Sequence, residues 1–182
     1  MARVNQSQFA VLGLLSFVPM SGYDLKQLSE WSVNHFWREG YGQIYPTLRR
    51  LEEDGLVTKK TQKQKGKPER NVYALTPAGK KHLQNWLAMP ASPEVPRIEL
   101  LLKLFFGQWM PAEVNRRQVM AHRAIWKRQL GEYTDIRKRL ARESGAASGL
   151  PFWEMTLSYG EHMAKAQLAW SEETLKQLKG GQ

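Results

Sequence analysis

A dense group of cationic side chains between residues 59 and 70 has the most specific chemistry in the chain. Six cations share these twelve residues with a single acid, Glu69. The cations are Lys59, Lys60, Lys63, Lys65, Lys67 and Arg70. Lysine and arginine side chains bind phosphate oxygens and displace the counterions that surround a polyanion. This cluster therefore indicates a polyanionic partner.

A β-hairpin is the element that the sequence predicts for presenting these cations. Residues 56–58 and 71–75 each have the composition of a strand, and the second of them (NVYAL) is rich in residues that suit a pleated sheet. Gly66 and Pro68 mark the turn between the strands. We therefore expect the cations to lie at the tip of a two-stranded ribbon.

A short helix, starting near residue 42 or 43, precedes this ribbon. Ile44, Leu48 and Leu51 follow the spacing of one helix face, and Gly55 suits the left-handed residue that ends a helix. Pro46 is compatible with the first turn, where backbone amides lack partners within the helix. The face predicted to point outward consists of Gln43, Thr47 and Arg50, with Tyr45 and Arg49 at its edges.

A helix face of this kind can enter the major groove of DNA. Glutamine and arginine can make paired hydrogen bonds to base edges, and tyrosine or threonine can bind phosphate oxygens. The helix alone is equally compatible with an ordinary solvated surface. A helix followed by a basic ribbon, however, is the expected form of a winged helix that binds nucleic acid.

The overall composition narrows the class of protein. The formal net charge is +10 and the isoelectric point is near 9.9, which favours an anionic partner. The absence of cysteine excludes disulfides, thiolate metal sites and cysteine nucleophiles. The apolar run at residues 9–18 is shorter than a membrane span of about 20 residues and is predicted to belong to the first helix. We expect a cytoplasmic protein with no cofactor, no metal and no membrane association.

A proline-rich segment divides the chain into two predicted domains. Residues 1–89 form a winged helix-turn-helix domain, and residues 90–96, with three prolines, form a semi-rigid linker. Residues 97–182 are predicted to be almost entirely helical. The predicted fold class is mainly α with a small antiparallel β-wing, in which the C-terminal helical domain serves dimerisation and could hold an effector pocket.

The last predicted helix, residues 152–179, carries two apolar stripes. A helix that is apolar on two sides usually packs between two partners. We expect one partner to be the rest of the same chain and the other to be a second copy of the protein. The residues predicted to contact that second copy are Phe152, Leu157, Tyr159, Met163, Trp170 and Leu175.

Three ordered motifs within residues 8–88 resemble those of PadR-type transcriptional regulators. They are SGYDLKQL, FWREGYGQIYPTLRRLEEDGLV and GKPERNVYALTPAGKKHLQNWL. In its length and helix pattern, the C-terminal half resembles the larger branch of that family, which includes the phenolic-acid-responsive repressors. The resemblance implies a homodimeric winged helix-turn-helix protein, usually a repressor of nearby genes, that dimerises through its C-terminal helices.

The resemblance also implies which residues contact DNA. In such proteins the third helix lies in the major groove, and the wing meets the adjacent backbone or minor groove. Some members bind a small aromatic effector between the two regions. The implied DNA contacts are Gln43, Tyr45, Pro46, Thr47 and Arg50 on the helix and Lys65, Lys67 and Arg70 in the wing.

The predicted function is a homodimeric, sequence-specific DNA-binding regulator. We expect a repressor that binds double-stranded DNA at a palindromic operator and is released by a small aromatic or phenolic effector. An enzyme finds little support, since His35, His82, His122 and His162 lack ligand-like spacing and no catalytic motif is found. RNA binding is disfavoured because the aromatic residues lie in helices. A winged-helix protein–protein adaptor is the alternative, although it leaves the wing cations unexplained.

Overall fold

The computed structural model describes residues 6–33, 36–37, 43–64, 67–93, 96–142 and 149–180. The chain divides into two compact units, Met1–Pro93 and Glu94–Gln182. The fold is mostly helical with one small antiparallel sheet, which confirms the predicted fold class. Within the described residues, no helix combines the length and the apolar character that a membrane crossing requires.

Within the described residues, the first unit contains four α-helices and three strands. The helices are α1 (Ser7–Leu15), α2 (Gly22–Trp31), α3 (Ile44–Glu53) and α4 (Pro77–Leu87). The strands are β1 (Met20–Ser21), β2 (Val57–Gln64) and β3 (Lys67–Leu75), which pair antiparallel in the order β1-β3-β2. This is the arrangement of a winged helix, in which a hairpin follows the third helix.

The core of the first unit lies between the helices and the inner face of the sheet. Leu12, Leu25, Leu48 and Leu51 are fully buried at its centre. Phe9 of α1 stacks on an aromatic ring of α4, Trp86, with 4.4 Å between ring centroids. Leucines at helical spacing on α3 therefore fix that helix against α1 and α2 and determine which side faces outward.

The ends of α3 and α4 follow the sequence signals. Gly55 has a φ of +69°, and its N–H donates to the carbonyl oxygen of Glu52 at 3.0 Å. Leu56 N–H donates to Leu51 O at 2.8 Å, which completes the glycine-dependent helix end predicted for this position. Thr76 caps α4 by accepting a hydrogen bond from Gly79 N–H at 3.0 Å.

The strands extend much further into the cationic segment than their composition suggests. β2 and β3 pair in register from Val57 opposite Leu75 to Gln62 opposite Arg70. The prediction of a long cationic tip is therefore wrong for Lys59, Lys60 and Arg70, which lie within the strands. Lysine and glutamine favour strands weakly on their own, but each strand here completes the backbone hydrogen bonds of the other.

The strand β1 was not predicted, because residues 21–22 have the composition of a turn. It is only two residues long, with Met20 opposite Tyr73 and Ser21 opposite Val72. So short a strand has no periodicity of its own and depends on β3 for its backbone hydrogen bonds. The sheet consequently has three strands at its base. From Val72 towards the tip of the hairpin, only β2 and β3 continue.

The second unit is helical. It contains α5 (Glu99–Phe105), a 3-10 turn (Gly107–Trp109), α6 (Ala112–Arg142) and α7 (Leu150–Gly180). The helical run predicted after the linker is interrupted between α5 and the 3-10 turn, where the carbonyl oxygen of Gly107 accepts a hydrogen bond from the buried Asn115 side chain at 2.8 Å. A Cβ at Gly107 would lie 2.9 Å from that amide, so the close approach requires glycine.

The long helices α6 and α7 pack antiparallel. Arg123 pairs with Glu172, whereas Arg137 further along α6 pairs with Glu161, earlier on α7. The buried contacts between the two helices comprise Tyr133, Leu157 and Ala164, with Trp126, Leu130, Ile136 and Leu140 packed around them. The stripe of α7 that contains Leu157 and Ala164 therefore faces α6 of the same chain.

This orientation changes the prediction for the dimer contacts. Leu157 is only 6% exposed, so the prediction that it faces a second copy is wrong. Leu175 and Trp170 are half-buried, and the Trp170 ring lies edge-on to His122 of α6 at 5.6 Å. Of the six predicted contacts, the residues that remain exposed are Phe152, Tyr159 and Met163.

Candidate nucleic-acid interface

The outward side of α3 displays most of the side chains that the sequence predicts for DNA contact. Gln43, Tyr45, Pro46 and Arg50 are exposed. Pro46 lies in the first turn of the helix, as expected from its missing N–H. Arg49 is exposed as well, and its guanidinium forms an ion pair with a carboxylate one turn further on, that of Glu53, at 3.3 Å.

Thr47 is the exception on this helix. Thr47 is only 6% exposed, so the prediction that its side chain points outward is wrong. Thr47 stands three residues after Ile44 and four before Leu51, both of which are buried. A helix with 3.6 residues per turn places all three on one face, so position rather than polarity decides the burial.

Tyr45 lies against the beginning of α2. Its residue is 61% exposed, yet one edge of the ring packs over Gly22, where a Cβ would lie 2.6 Å from Tyr45 Cε1. Glycine at position 22 therefore permits the contact between α2 and α3. The phenol remains accessible at the junction of the two helices.

Two residues beside this junction were missed by the sequence analysis. Tyr23 is 60% exposed, and its hydroxyl accepts a hydrogen bond from Gln27 Nε2 at 3.0 Å. Their spacing of four residues on α2 is a signal that sequence inspection could have used, because such residues share a helix face. Tyr23 and Gln27 thus add a phenol and an amide to the polar surface near Tyr45.

Among the wing cations whose side chains the structure describes, Lys59 and Arg70 are paired with carboxylates of the same chain. Lys59 Nζ lies 3.3 Å from Glu52 Oε2 of α3, so this lysine ties the base of the hairpin to the helix. Lys60, on the next position of β2, is exposed. Lys65 and the side chain of Lys67 lie outside the described part of the structure.

Arg70 is paired with a carboxylate of α2 rather than held at a free tip. Its Nη2 donates to Asp24 Oδ2 in an ion pair that joins β3 to α2. Asp24 also closes a capping box with Ser21, whose backbone N–H and hydroxyl each donate to Asp24 Oδ2 at 2.9 Å. Burial by itself raises the pKa of Asp24, but the hydrogen bonds from Ser21 and the charge of Arg70 lower that pKa below its usual range.

The sequence of the first unit matches that of a known family of proteins. Residues 11–85 match the model of the Transcriptional regulator PadR-like family. Residues 96–179 match the model named Virulence activator alpha C-term. The chain belongs to the PadR-like family of transcriptional regulators. Members of this family are regulators and not enzymes, so the exposed residues of the PadR-like head are candidates for binding rather than catalysis.

Individual relatives agree with this assignment. The Negative transcriptional regulator PadR of Bacillus subtilis is 37% identical over 100 residues, which span 54% of this chain and 55% of that protein. The protein named "Probable transcriptional regulator Rv1176c" of Mycobacterium tuberculosis is 29% identical, over 93% of this chain and 96% of its own length.

Solved structures of the Bacillus subtilis protein share the fold. Its complex with operator DNA matches with a TM-score of 0.82 and 26% identity, covering 94% of this chain and 98% of that chain. Its complex with p-coumaric acid matches with a TM-score of 0.77 and 25% identity over the same fractions of the two chains.

In the described part of the PadR-like head, the exposed groups are suited to binding. Gln43 and Arg50 offer hydrogen-bond donors, Tyr23 and Tyr45 offer phenolic hydroxyls, and Lys60 offers a positive charge. Among the described residues of the chain, no group of histidine and acidic side chains could hold a metal ion. Hydrogen-bond donors, phenols and cations are the combination of groups that recognises a polyanion with readable edges.

Proposed function

We propose that this chain acts in the cytoplasm as a homodimeric, sequence-specific DNA-binding repressor. The observation that carries the proposal is the exposed face of α3, with Gln43, Tyr45 and Arg50 beside a basic wing. The operator complex of the Bacillus subtilis relative supports the same use of the fold. In this proposal α3 enters the major groove and the wing follows the neighbouring phosphates.

The residues of the head divide into two roles. Gln43 and Arg50 read base edges, because amide and guanidinium groups can form paired hydrogen bonds there. Tyr45, Lys60 and the wing residues Lys65 and Lys67 bind the backbone. Pro46 shapes the first turn of the helix that carries these contacts. Thr47 is assigned no DNA contact, since its side chain is part of the core.

Dimerisation is proposed to use the outward stripe of α7. Phe152, Met155, Tyr159 and Met163 are exposed at helical spacing, although all are large and apolar or aromatic. A contiguous apolar patch of this kind commonly marks a protein interface. A symmetric dimer would present two α3 helices to half-sites about 34–36 Å apart, which predicts a palindromic operator.

An effector is proposed to bind the helical unit. A cavity of about 140 Å³ is lined by Ile98, Leu100, Leu101, His122, Gln167 and Trp170. A cavity of about 150 Å³ accommodates benzene, so there is room for one aromatic ring. His122 Nε2 lies 2.9 Å from Gln167 Oε1, and this pair would orient a polar substituent. The p-coumaric acid complex of the Bacillus subtilis relative supports a phenolic effector that releases the repressor.

A binding titration with the DNA upstream of its own gene tests the DNA-binding function. We expect saturable binding that is lost on scrambled DNA and that weakens steeply as salt rises. Arg50→Ala should reduce discrimination between operator variants, costing about 1–3 kcal/mol at the contacted base pair. Lys80→Ala on α4 is the control, because it removes the same charge from an exposed position outside α3 and the wing.

The same titration separates the two candidate functions. Equal, non-saturating binding to operator and scrambled DNA would reject the sequence-specific regulator and favour the winged-helix adaptor.

For the effector, p-coumaric acid is titrated while tryptophan emission and operator affinity are followed. His122→Ala and Gln167→Leu should each raise its Kd about tenfold, since each removes one member of the half-buried polar pair that would hold the effector's polar substituent. Unchanged affinity in both variants, with the exposed His162→Ala as control, would remove the cavity from the proposal.

A further inference from the structure

The ion pair between Arg70 and Asp24 occupies a mechanically important place in the winged helix. It joins residues 46 positions apart, one on the hairpin strand β3 and one at the start of α2. Asp24 Oδ2 accepts from the Arg70 guanidinium and from both the backbone N–H and the hydroxyl of Ser21. One carboxylate oxygen therefore takes part in the cap at the start of α2 and also binds Arg70 of the hairpin strand β3.

Arg70 stands where the hairpin loses the support of the sheet. The last described pairing of β1 with β3 is Ser21 opposite Val72. Arg70 lies two residues from Val72, towards the tip of the hairpin. Opposite Arg70, at Gln62, the regular register of β2 and β3 also ends, with an irregularity before Gln64. A contact at this position controls the direction in which the rest of the hairpin projects.

The orientation of the guanidinium fits a structural role. Nη2 is bound to the carboxylate, and Nε is buried without a hydrogen-bond partner among the described residues. An unsatisfied buried N–H is unfavourable. The contact of Nη2 with Asp24 and the burial of Nε hold the guanidinium against α2, although 41% of the side chain stays exposed.

We propose that Arg70 is a positioning residue: through Asp24 it sets the angle of the wing relative to α2 and α3, and it does not itself bind phosphate. The inference rests on the proposed DNA-binding function, because that angle decides whether the cations expected nearer the tip, Lys65 and Lys67, reach the backbone while α3 occupies the groove. Arg70 therefore contributes to operator affinity through the cations further along the hairpin.

The decisive variant is Asp24→Asn, with Glu30→Gln as its matched control. Both remove one negative charge from α2, and Glu30 is exposed. Electrostatics alone predicts equal or tighter DNA binding for both variants, because the head becomes more positive. Positioning by Arg70 predicts instead that Asp24→Asn weakens operator binding about tenfold, whereas Glu30→Gln does not. Equal or tighter binding by Asp24→Asn would overturn the proposal.

The salt dependence of Arg70→Gln distinguishes a positioning residue from a phosphate ligand. Loss of one phosphate contact per head lowers the slope of log Kobs against log salt by about 0.9 for each head. If Arg70 acts through Asp24, then Arg70→Gln should share the slope of Asp24→Asn. A slope that is reduced in Arg70→Gln and unchanged in Asp24→Asn would identify Arg70 as a phosphate ligand.

Ser21→Ala separates wing positioning from simple loss of helix stability. This variant removes the hydroxyl that caps α2 but leaves Asp24 and Arg70 paired. We expect it to lower the melting temperature while retaining most of the operator affinity at 25 °C. If Ser21→Ala and Asp24→Asn lose affinity equally at equal loss of stability, the ion pair has no special role.

Hydrogen exchange tests the inference without DNA. In Asp24→Asn, the amides of β2 and β3 on the tip side of the Lys60–Val72 pair should exchange faster than in Glu30→Gln. The amides of α1 and α4 should keep their protection. Identical protection of the hairpin in the two variants would refute the positioning role. If the wild-type protein fails to bind its operator although the exchange difference is found, the DNA-binding function is rejected and the mechanical role of Arg70 stands.

Discussion

The two faces of α7 offer a sharp test of how the helical unit is assembled. Leu157 is 6% exposed and packs with Tyr133 in the contact between α6 and α7. Tyr159, two residues later, is 65% exposed. Substituting these neighbours with alanine should therefore affect two different equilibria, the folding of the chain and the association of two chains.

The expected magnitudes follow from burial. Leu157→Ala removes a buried side chain from between two helices and should lower the free energy of unfolding by about 2–5 kcal/mol. Tyr159→Ala removes an exposed side chain and should change the folding of the chain itself by only about 0.5 kcal/mol. At the proposed dimer interface, an aromatic anchor is worth about 2 kcal/mol. Because a twofold interface contains each residue twice, the loss is about 4 kcal/mol, or roughly a thousandfold in the dimer Kd.

Sedimentation equilibrium measures the dimer Kd, and thermal unfolding at two protein concentrations separates folding from association. Lys165→Ala, at an exposed position of the same helix, serves as the control. An unchanged dimer in Tyr159→Ala would exclude the outward stripe of α7 from the interface. Wild-type stability in Leu157→Ala would contradict the packing of α7 against α6.

Two further predictions concern single contacts. Gly79→Ala should destabilise the first unit by about 1–3 kcal/mol, because the new Cβ would lie 2.1 Å from the carbonyl oxygen of Leu56. Gly13→Ala should instead stabilise α1 slightly, because nothing lies within 4 Å of the new Cβ. The melting temperatures of the two variants check both predictions. The hydrogen bonds from Arg137 lower the pKa of Glu161 below its ordinary value of 4.5, so the pair stabilises the fold above that pH and stops doing so as pH falls through the lowered pKa. The difference in melting temperature between wild type and Glu161→Gln should thus be present at pH 7 and disappear in acid; a difference that persists at the lowest pH would refute this.

Local sequence signals succeeded where a residue's conformation depends on its near neighbours. Gly55 ends α3 in a left-handed conformation because only glycine adopts it without a Cβ penalty. Thr76 and Pro77 start α4 because a cap and a missing N–H both suit a first turn. Ile44, Leu48 and Leu51 face the core because helical spacing places them on one side. Each of these outcomes depends on interactions within a few residues.

The failures have a different physical origin. Thr47 is polar, but it shares a turn with buried neighbours, and the packing of α3 against the rest of the head takes its side chain into the core. β2 and β3 extend through lysines and glutamines because each strand supplies the hydrogen-bond partners of the other. The composition of a segment indicates only its own preference for a strand, whereas the length of a paired strand also depends on the hydrogen bonds that its partner strand provides.

A winged-helix head, a proline-rich segment and a helical second half are predictable from the sequence, because periodicity, turn residues and ordered family motifs are local in the chain. Which face of α7 is buried, and which of the described wing cations are paired, depend on contacts between segments that are distant in the chain. Arg70 shows the reason most directly. Its charge is visible in the sequence, but its partner Asp24 lies 46 residues away, and only folding brings that carboxylate to it.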